Sequence, residues 1–328
     1  MVLMKQARIL SLMLVVLLGG AGCAQANPDS TAVSAQPSAG SAEPKSASAG
    51  ATGDNSMTDS EKLAVAQSML DAWSGLDWER VYQLFGEHGA LHNVMLDPIV
   101  GEDKLRQRLQ GFETGLSRMD FIVLRMGLLD GNVVIERLES FDFNGKSGIV
   151  PVVGVMTIED GQVRLWREYY DRNWLLSELG LVEGEPAHPV APDEPAAGLG
   201  EMSDADKLAV AQAMLDAYEA LDWDKVASLI ARDGVVHYVE KEPMHGPEAM
   251  RAHIERVGPA LTRVAFKDLR MGVIDGVVMI ERVDDFDYNG HHVSVPVFGS
   301  MEIADGKIKV WREYYDHEQM RRGMGLIE

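Results

Sequence analysis

The amino-acid sequence contains the same segment twice, aligned without a gap. KLAVAQSMLDAW begins at Lys62 and KLAVAQAMLDAY begins at Lys207, which lies 145 positions later, and WREYYD recurs at the same offset. A chain of 328 residues has room for about two domains of ordinary size. The repeat therefore predicts two copies of one domain, over residues 57–183 and 202–328, because two copies are too few for a solenoid.

Residues 1–23 have the pattern of an export signal. Lys5 and Arg8 precede an apolar run of about ten residues, and small residues then lead to Cys23, the only cysteine. A membrane-spanning helix needs roughly 20 apolar residues, so this run is too short for a permanent span. The small residues that end at Cys23 resemble the lipobox of bacterial lipoproteins, which implies lipidation at Cys23 and a membrane anchor in the bacterial cell envelope, on its periplasmic or surface face. Cleavage after Ala26 is the alternative, and it would produce a freely secreted protein.

Two further segments predict connections between the folded parts. Residues 24–56 are rich in Ala, Ser, Gly and Pro and have no apolar periodicity, which is typical of a flexible tether. Residues 184–201, GEPAHPVAPDEPAAGLGE, are rich in Pro and Ala and indicate a linker between the two copies. The folded part of the chain is therefore expected to begin near Met57.

Charge and motif content exclude several classes of function. The chain has 30 Lys and Arg against 51 Asp and Glu, and a net charge of -21 repels phosphate backbones, which excludes nucleic acid as a partner. A single cysteine excludes an intrachain disulfide and a cysteine-built zinc site. The sequence has no Gly-rich phosphate loop, no GxSxG and no HExxH, so nucleotide binding, serine hydrolysis and zinc proteolysis have no support.

The sequence of each copy predicts about three helices followed by a meander of strands. In the first copy, Thr58 and Glu61 have the spacing of a capping box that begins a helix to about Ser74, and further helices are expected over 77–85 and near 102–116. Hairpin-forming Asp-Gly and Asn-Gly pairs recur in both copies, at 130–131, 144–145 and 160–161 and at 275–276, 289–290 and 305–306. A mostly antiparallel sheet with a helical cap, an α+β fold, is therefore predicted.

Charged residues alternate with apolar ones on two strands of each copy. Alternation puts Arg137, Glu139 and Phe141 on one face of their strand, and it groups Trp166, Glu168 and Tyr170 on the last strand. The second copy has Arg282, Asp284, Phe286, Trp311, Glu313 and Tyr315 at these positions. A curved sheet would bring the two strands together around an apolar cavity, in which the charges must be paired. A buried salt bridge that only fixes the sheet is as good an interpretation as a catalytic site.

Three motifs together resemble the limonene-1,2-epoxide hydrolases, within the nuclear-transport-factor-2-like and SnoaL-like superfamily. They are ERLE at Glu136 and ERVD at Glu281, a VPV-x-G stretch at Val150 and at Val295, and the hairpin that leads to WREYYD. The resemblance spans both repeats and implies two tandem cone-shaped α+β domains, each with a curved sheet and helices that enclose a deep apolar pocket. It also implies hydrolysis of the epoxide of a small apolar molecule to a diol, without a metal or a cofactor.

The resemblance implies a role for each charged residue of the pocket. In the first copy, Glu139 would donate a proton to the epoxide oxygen, Glu168 would activate a water that Asn93 holds, and Arg137 would bridge the two carboxyl groups. In the second copy, these four positions are occupied by Asp284, Glu313, Tyr238 and Arg282.

Both copies depart from the family pattern beside the base. A family tyrosine that helps to hold the water is replaced by Leu91 in the first copy and by Val236 in the second. The family usually has Asp where Glu168 and Glu313 stand, so the base is longer by one methylene group. A displacement of about 1 Å can lower a catalytic rate by roughly 10²-fold, so these changes bear on activity.

Other functions and assemblies remain open at this point. A binding module that captures a small apolar ligand without catalysis, or a cyclase or isomerase of the SnoaL or ketosteroid-isomerase type, would have the same fold. The resemblance also implies pairing through the sheet. We therefore expect the two copies to form an intramolecular pseudo-dimer through the outward faces of the VPV strands, with a homo-oligomer as the alternative.

Overall fold

The computed structural model describes residues 57–182, 202–239 and 241–327. Within these residues, no helix is long and apolar enough to cross a membrane. The predicted signal over 1–23, lipidation at Cys23, the tether over 24–56 and the linker over 184–201 lie outside the described residues.

The first repeat, termed domain one, is built from helices that lie before and after a meander of strands. Its elements are α1 (Asp59–Ser74), α2 (Trp78–Phe85), β1 (Ala90–Asn93), β2 (Ile99–Val100), α3 (Glu102–Gly115), β3 (Leu116–Leu129), β4 (Asn132–Phe143), β5 (Lys146–Glu159), β6 (Gln162–Tyr169) and α4 (Arg172–Glu178). The strands form one sheet in the order β2-β1-β6-β5-β4-β3, in which only β1 and β6 are parallel. The short helix α4 was not predicted from the sequence.

The second repeat, termed domain two, has the same order of elements. They are α5 (Asp204–Glu219), α6 (Trp223–Leu229), β7 (Ile230–Tyr238), β8 (Met244–His245), α7 (Gly246–Val257), β9 (Leu261–Ile274), β10 (Val277–Tyr288), β11 (His291–Ala304), β12 (Lys307–Tyr314) and α8 (His317–Gly323). Its sheet has the order β8-β7-β12-β11-β10-β9. The predicted α+β fold of two repeated domains, each with a mostly antiparallel sheet, is confirmed.

Local sequence explains where the first helix and the hairpins form. Thr58 accepts a hydrogen bond from the backbone N–H of Glu61, and the Glu61 carboxylate accepts one from the backbone N–H of Thr58 at 2.8 Å, which completes the predicted capping box. At the turn between β3 and β4, Asp130 has φ +49° and Gly131 has φ +73°. Two successive positive φ values define the turn type that matches the twist of paired strands, and this is why the Asp-Gly and Asn-Gly pairs form hairpins.

The two domains contact each other through buried charged and polar groups on their sheets. Glu136 of β4 is fully buried and accepts hydrogen bonds from Ser300 Oγ at 2.9 Å and from Tyr314 Oη at 2.7 Å, both in domain two. Arg125 pairs with Glu136 and also donates to Glu302 of domain two at 3.1 Å. A buried carboxylate is tolerated only with such partners.

Repeat-related residues make the corresponding contacts in the other direction. Glu281, the counterpart of Glu136, accepts hydrogen bonds from Arg167 Nε at 2.6 Å and from Tyr169 Oη at 2.8 Å, both in domain one. Two aspartates each accept a hydrogen bond from a backbone N–H at the start of a helix in the other domain. The backbone N–H of Arg172 donates to Asp316 at 3.0 Å, and the backbone N–H of His317 donates to Asp171 at 2.9 Å. The two domains therefore share reciprocal polar contacts.

We predict that Glu136→Ala lowers the free energy of unfolding by roughly 3–5 kcal/mol, because it leaves Arg125 Nη1 and two buried hydroxyl groups of domain two without their acceptor. Urea denaturation of the full chain measures the change. Asp233→Ala is the matched control, since Asp233 forms an exposed ion pair with Lys309 and such pairs add little stability. Equal effects of the two substitutions would contradict a stabilising role for the buried network.

Candidate active site

A cavity of about 360 Å³ lies in domain two between the sheet and the helices. All seven side chains that the sequence assigns to the second pocket line it: Tyr238, Arg282, Asp284, Phe286, Trp311, Glu313 and Tyr315. Helices α5 and α7 contribute Tyr218, His253 and Ile254, and α8 contributes Met320. The predicted residues are therefore brought together in one apolar cavity with a small charged cluster.

The charged cluster of domain two is a guanidinium bound to two carboxyl groups. Arg282 Nε lies 2.7 Å from Asp284 Oδ1, and Arg282 Nη2 lies 2.6 Å from Glu313 Oε2. The indole N–H of Trp311 also donates to Glu313. Arg282 is only 4% exposed and Glu313 only 3%, so the charges are held in a low-dielectric interior and not on the surface.

Domain one has the same cluster. Arg137 Nη2 lies 2.5 Å from Glu139 Oε1 and 2.7 Å from Glu168 Oε2, and Arg137 is 1% exposed. The predicted pocket residues Phe141, Trp166 and Tyr170 are all buried. The structure therefore brings the arginine and both carboxyl groups together in each repeat, as the strand alternation predicted.

A glycine on the strand between the charged residues makes room for the cluster. In domain one, a Cβ atom at Gly154 would lie 2.7 Å from both Arg137 Nη1 and Trp166 Nε1 and 2.9 Å from Glu168 Oε1. At Gly299 in domain two, it would lie 2.7 Å from Glu313 Oε1 and 3.0 Å from Arg282 Nη1. These glycines end the two VPV-x-G motifs, so a close approach of side chains to the backbone explains the glycine of the motif.

The clusters differ in how completely their polar atoms are paired. In domain one, Arg137 Nη1, Trp166 Nε1 and Glu168 Oε1 have no hydrogen-bond partner among the described residues, although all three converge on Gly154. In domain two, the corresponding indole and guanidinium both donate to Glu313 Oε1. Domain one therefore leaves these three buried polar atoms without the hydrogen bonds that their counterparts make in domain two.

Strand register places the predicted water-holding residues beside the predicted bases. Asn93 of β1 is paired with Glu168 of β6, and Tyr238 of β7 is paired with Glu313 of β12. Because the strands are adjacent and parallel, these side chains lie next to each other on one face of each sheet. Leu91 and Val236, which replace the family tyrosine, are buried beside Trp166 and Trp311.

Burial shifts the protonation of the carboxyl groups. Burial and the neighbouring charge of Glu139 raise the pKa of Glu168 to about 8, although Arg137 acts in the opposite direction. Burial also raises the pKa of Asp284 and of Glu313, again against the effect of Arg282. Two carboxyl groups that share one guanidinium titrate as a pair. Each cluster can therefore retain a proton on one carboxyl group near neutral pH while the other carboxyl group remains ionised.

Several residues that line the cavity of domain two were missed by the sequence analysis. Tyr218 of α5 is partly buried and hydrogen-bonded to Tyr238, and burial, Tyr238 and the charge of Glu313 raise its pKa. The sequence repeat could have indicated Tyr218, because the first copy also has an aromatic residue, Trp73, at this position. Four basic residues also line the cavity, namely Lys241, His253, His317 and Arg321.

We predict that Glu168→Gln changes how stability depends on pH. Folding raises the pKa of Glu168 from 4.5 to about 8, so the folded protein keeps a proton that the unfolded chain releases between these values. The free energy of unfolding of the wild type should therefore fall as pH rises from 5 to 8, and the variant should lack this component. Urea denaturation at four pH values measures it, with Glu159→Gln on the surface as the control. Parallel curves for wild type and Glu168→Gln would contradict the raised pKa.

Comparisons with known proteins agree with the motifs. The sequence profile described as "Limonene-1,2-epoxide hydrolase catalytic domain" matches residues 60–180 and again 205–324. The epoxide hydrolase EphG of Mycobacterium tuberculosis is 30% identical over 120 residues, which cover 35% of this chain and 78% of that protein.

Two solved structures are also similar. An LEH-like epoxide hydrolase of M. tuberculosis has 26% identity, covers 38% of this chain and 92% of its own, and gives a TM-score of 0.32. A putative polyketide cyclase of Xanthomonas campestris pv. campestris has 20% identity, covers 37% and 98%, and gives a TM-score of 0.34. Because the profile matches most of the chain, in both repeats, the chain belongs to the limonene-1,2-epoxide hydrolase catalytic domain family and contains that domain twice.

Proposed function

We propose that this chain hydrolyses an epoxide on a small apolar molecule to a diol by general acid–base catalysis. The observation that carries the proposal is the buried arginine that joins two carboxyl groups in each domain, at 2.5–2.7 Å in domain one and 2.6–2.7 Å in domain two. Family membership and the similarity to EphG support the same reaction. A cyclase or isomerase would need a single acid that faces a carbonyl group, and here neither carboxyl group is separate from the arginine.

The reaction balances with one protonated and one ionised carboxyl group. The protonated group donates its proton to the epoxide oxygen as a carbon–oxygen bond breaks, while the ionised group accepts a proton from the water whose oxygen attacks the ring carbon. By family resemblance, Asp284 is the acid and Glu313 the base in domain two. The acid ends ionised and the base ends protonated, and one proton exchange between the two groups or with solvent restores the pair.

Domain two is the better candidate for the principal catalytic site. Its described cavity is lined by Tyr218 and Val257, where domain one has the larger Trp73 and Phe112. The aromatic and aliphatic lining suits an apolar substrate. Domain one retains the same three charged residues, so we assign it a lower activity for the same reaction.

The roles of Glu313 and Glu168 are tested with the full chain and a panel of small apolar epoxides. Each carboxyl role contributes typically 10²- to 10⁴-fold to the rate, so Glu313→Gln should lower kcat/KM for diol formation by roughly that factor. Glu168→Gln should have a smaller effect, and the double variant should form no diol above background. Mass spectrometry of the diol in ¹⁸O-labelled water measures turnover and shows that the new oxygen comes from water.

The control for this experiment is Glu255→Gln, which changes an exposed carboxyl group on α7. It should leave kcat/KM unchanged. The proposal fails if no epoxide of the panel is converted, or if the double variant forms diol as fast as the wild type.

Tyr218 is proposed as a positioning residue for the water in domain two. Its hydroxyl group is hydrogen-bonded to Tyr238, and it lies close enough to Glu313 for the carboxylate charge to raise its pKa. The two phenol groups can therefore take the role of the family tyrosine, which is replaced by Val236 in this domain. A hydrogen bond to a charged or reacting group contributes about 1.5–3 kcal/mol, which corresponds to roughly tenfold or more in rate.

We predict that Tyr218→Phe lowers kcat about tenfold and leaves KM within about twofold, because the phenyl ring is kept and only the hydroxyl group is lost. Steady-state kinetics with the best epoxide of the panel measures both constants. Tyr82→Phe is the matched control, since the Tyr82 hydroxyl donates to Glu113 within domain one and neither residue lines the cavity of domain two. It should lower stability without a change in kcat, and an equal loss of kcat in both variants would contradict the positioning role.

A further inference from the structure

The cavity of domain two has two electrically different parts. Its charged cluster holds one guanidinium and two carboxyl groups, and these two are the only acidic groups among the described residues that line the cavity. The other charged or titratable lining groups, apart from tyrosines, are basic: Lys241, His253, His317 and Arg321. A basic lining is unexpected in a chain with 51 acidic and 30 basic residues.

The two histidines report the positive potential of this region. Burial, together with the charges of Lys241 and Arg321, lowers the pKa of His317 to about 4. Burial likewise lowers the pKa of His253 to about 4, with contributions from Arg256 and Lys241. Both imidazoles are therefore neutral at pH 7, and Lys241 and Arg321 carry the positive charge of the basic lining.

In domain one, a different residue supplies a cation at a position that corresponds to the basic lining of domain two. Arg108 of α3 is the counterpart of His253, and it is half-buried. No hydrogen-bond acceptor or carboxylate contacts its guanidinium among the described residues, whereas most other half-buried arginines of the chain are paired. Burial and the charge of Arg172 lower the pKa of Arg108, and the neighbouring Tyr170 acts in the opposite direction.

Tyr170 connects this cation to the catalytic cluster of domain one. Burial raises the pKa of Tyr170, the charges of Glu168 and Glu139 raise it too, and the charge of Arg108 lowers it, so all three charged groups act on one phenol. A half-buried guanidinium without a counter-ion pays a desolvation cost, which an anionic ligand would offset. Both domains thus have a positive charge near the charged cluster, and in domain one it belongs to the counterpart of a cavity-lining residue of domain two.

We propose that both sites take a ligand whose apolar body ends in a carboxylate, held by Arg321 with Lys241 in domain two and by Arg108 in domain one. As a statement about substrate, this rests on the proposed function, because the epoxide then lies at the carboxyl pair and the carboxylate at the basic lining. As a statement about binding, it can be measured without turnover.

The test compares three probes of one size by isothermal titration calorimetry with the full chain at low ionic strength. They are decanoate, the neutral decanamide and decyl phosphate. A charge-assisted hydrogen bond of about 1.5 kcal/mol corresponds to roughly tenfold in affinity, so decanoate should bind about tenfold more tightly than decanamide. The preference should weaken with added salt, because the charges of Lys241 and Arg321 are exposed.

The variant for this test is the triple substitution Arg108→Gln, Lys241→Gln and Arg321→Gln, which should bind decanoate no better than decanamide. The control triple, Arg164→Gln, Arg251→Gln and Lys309→Gln, removes the same net charge from ion pairs that do not line the cavity, and it should keep the preference.

Three outcomes overturn the inference. Equal binding of decanoate and decanamide excludes recognition of an anion, and a preference that survives in the triple variant excludes these residues as its source. A tenfold preference for decyl phosphate over decanoate excludes a carboxylate as the group that is recognised. No probe contains an epoxide, so the binding result stands even if no diol is formed. If diol is formed but decanoate is not preferred over decanamide, only the inference about the carboxylate is contradicted.

Discussion

The bridge from one buried arginine to two carboxyl groups is the interaction on which the interior of each domain depends. Arg137 and Arg282 are almost fully buried, and an unpaired guanidinium at that depth would cost several kcal/mol. Two carboxyl groups pair with each arginine, but one positive charge cannot hold two ionised groups in a low-dielectric interior without raising a pKa. The bridge that makes a charged interior tolerable therefore also creates the retained proton that acid catalysis needs.

The sheet, more than the helices, sets the geometry of this bridge. The arginine and the acid lie two residues apart on one strand, the base lies two strands away, and the strand between them contributes a glycine, Gly154 or Gly299. Any side chain at the glycine would separate the groups that must touch. The helices supply the remaining walls, and they are where the two repeats differ most at the site, with Tyr218 against Trp73 and His253 against Arg108.

Strand alternation explains why the cluster could be predicted and why its surroundings could not. Side chains two residues apart share a face, so Arg137 and Glu139 were placed together from the sequence alone, and the structure brings Glu168 to them. The same rule places Glu136 on the opposite face, but it does not say what covers that face. Tyr218 and Arg321 lie on helices whose rotation over the sheet depends on packing between distant segments, so no local pattern showed that they line the cavity.

One strand serves both the site and the contact between the domains, which links the two physically. On β4, Arg137 faces the cluster while Glu136, one residue earlier, accepts hydrogen bonds from Ser300 and Tyr314 of the other repeat. A shift of β4 at this contact would therefore move the arginine, and a displacement of about 1 Å can lower a rate roughly 10²-fold. Because both repeats belong to one chain, the partner that holds β4 in place is present at every concentration, whereas a dimer of separate chains would depend on association. Because the two repeats lie in one chain, the residues around each charged cluster can also differ between the repeats. Arg108 in domain one and His253 in domain two are such a difference within the same fold.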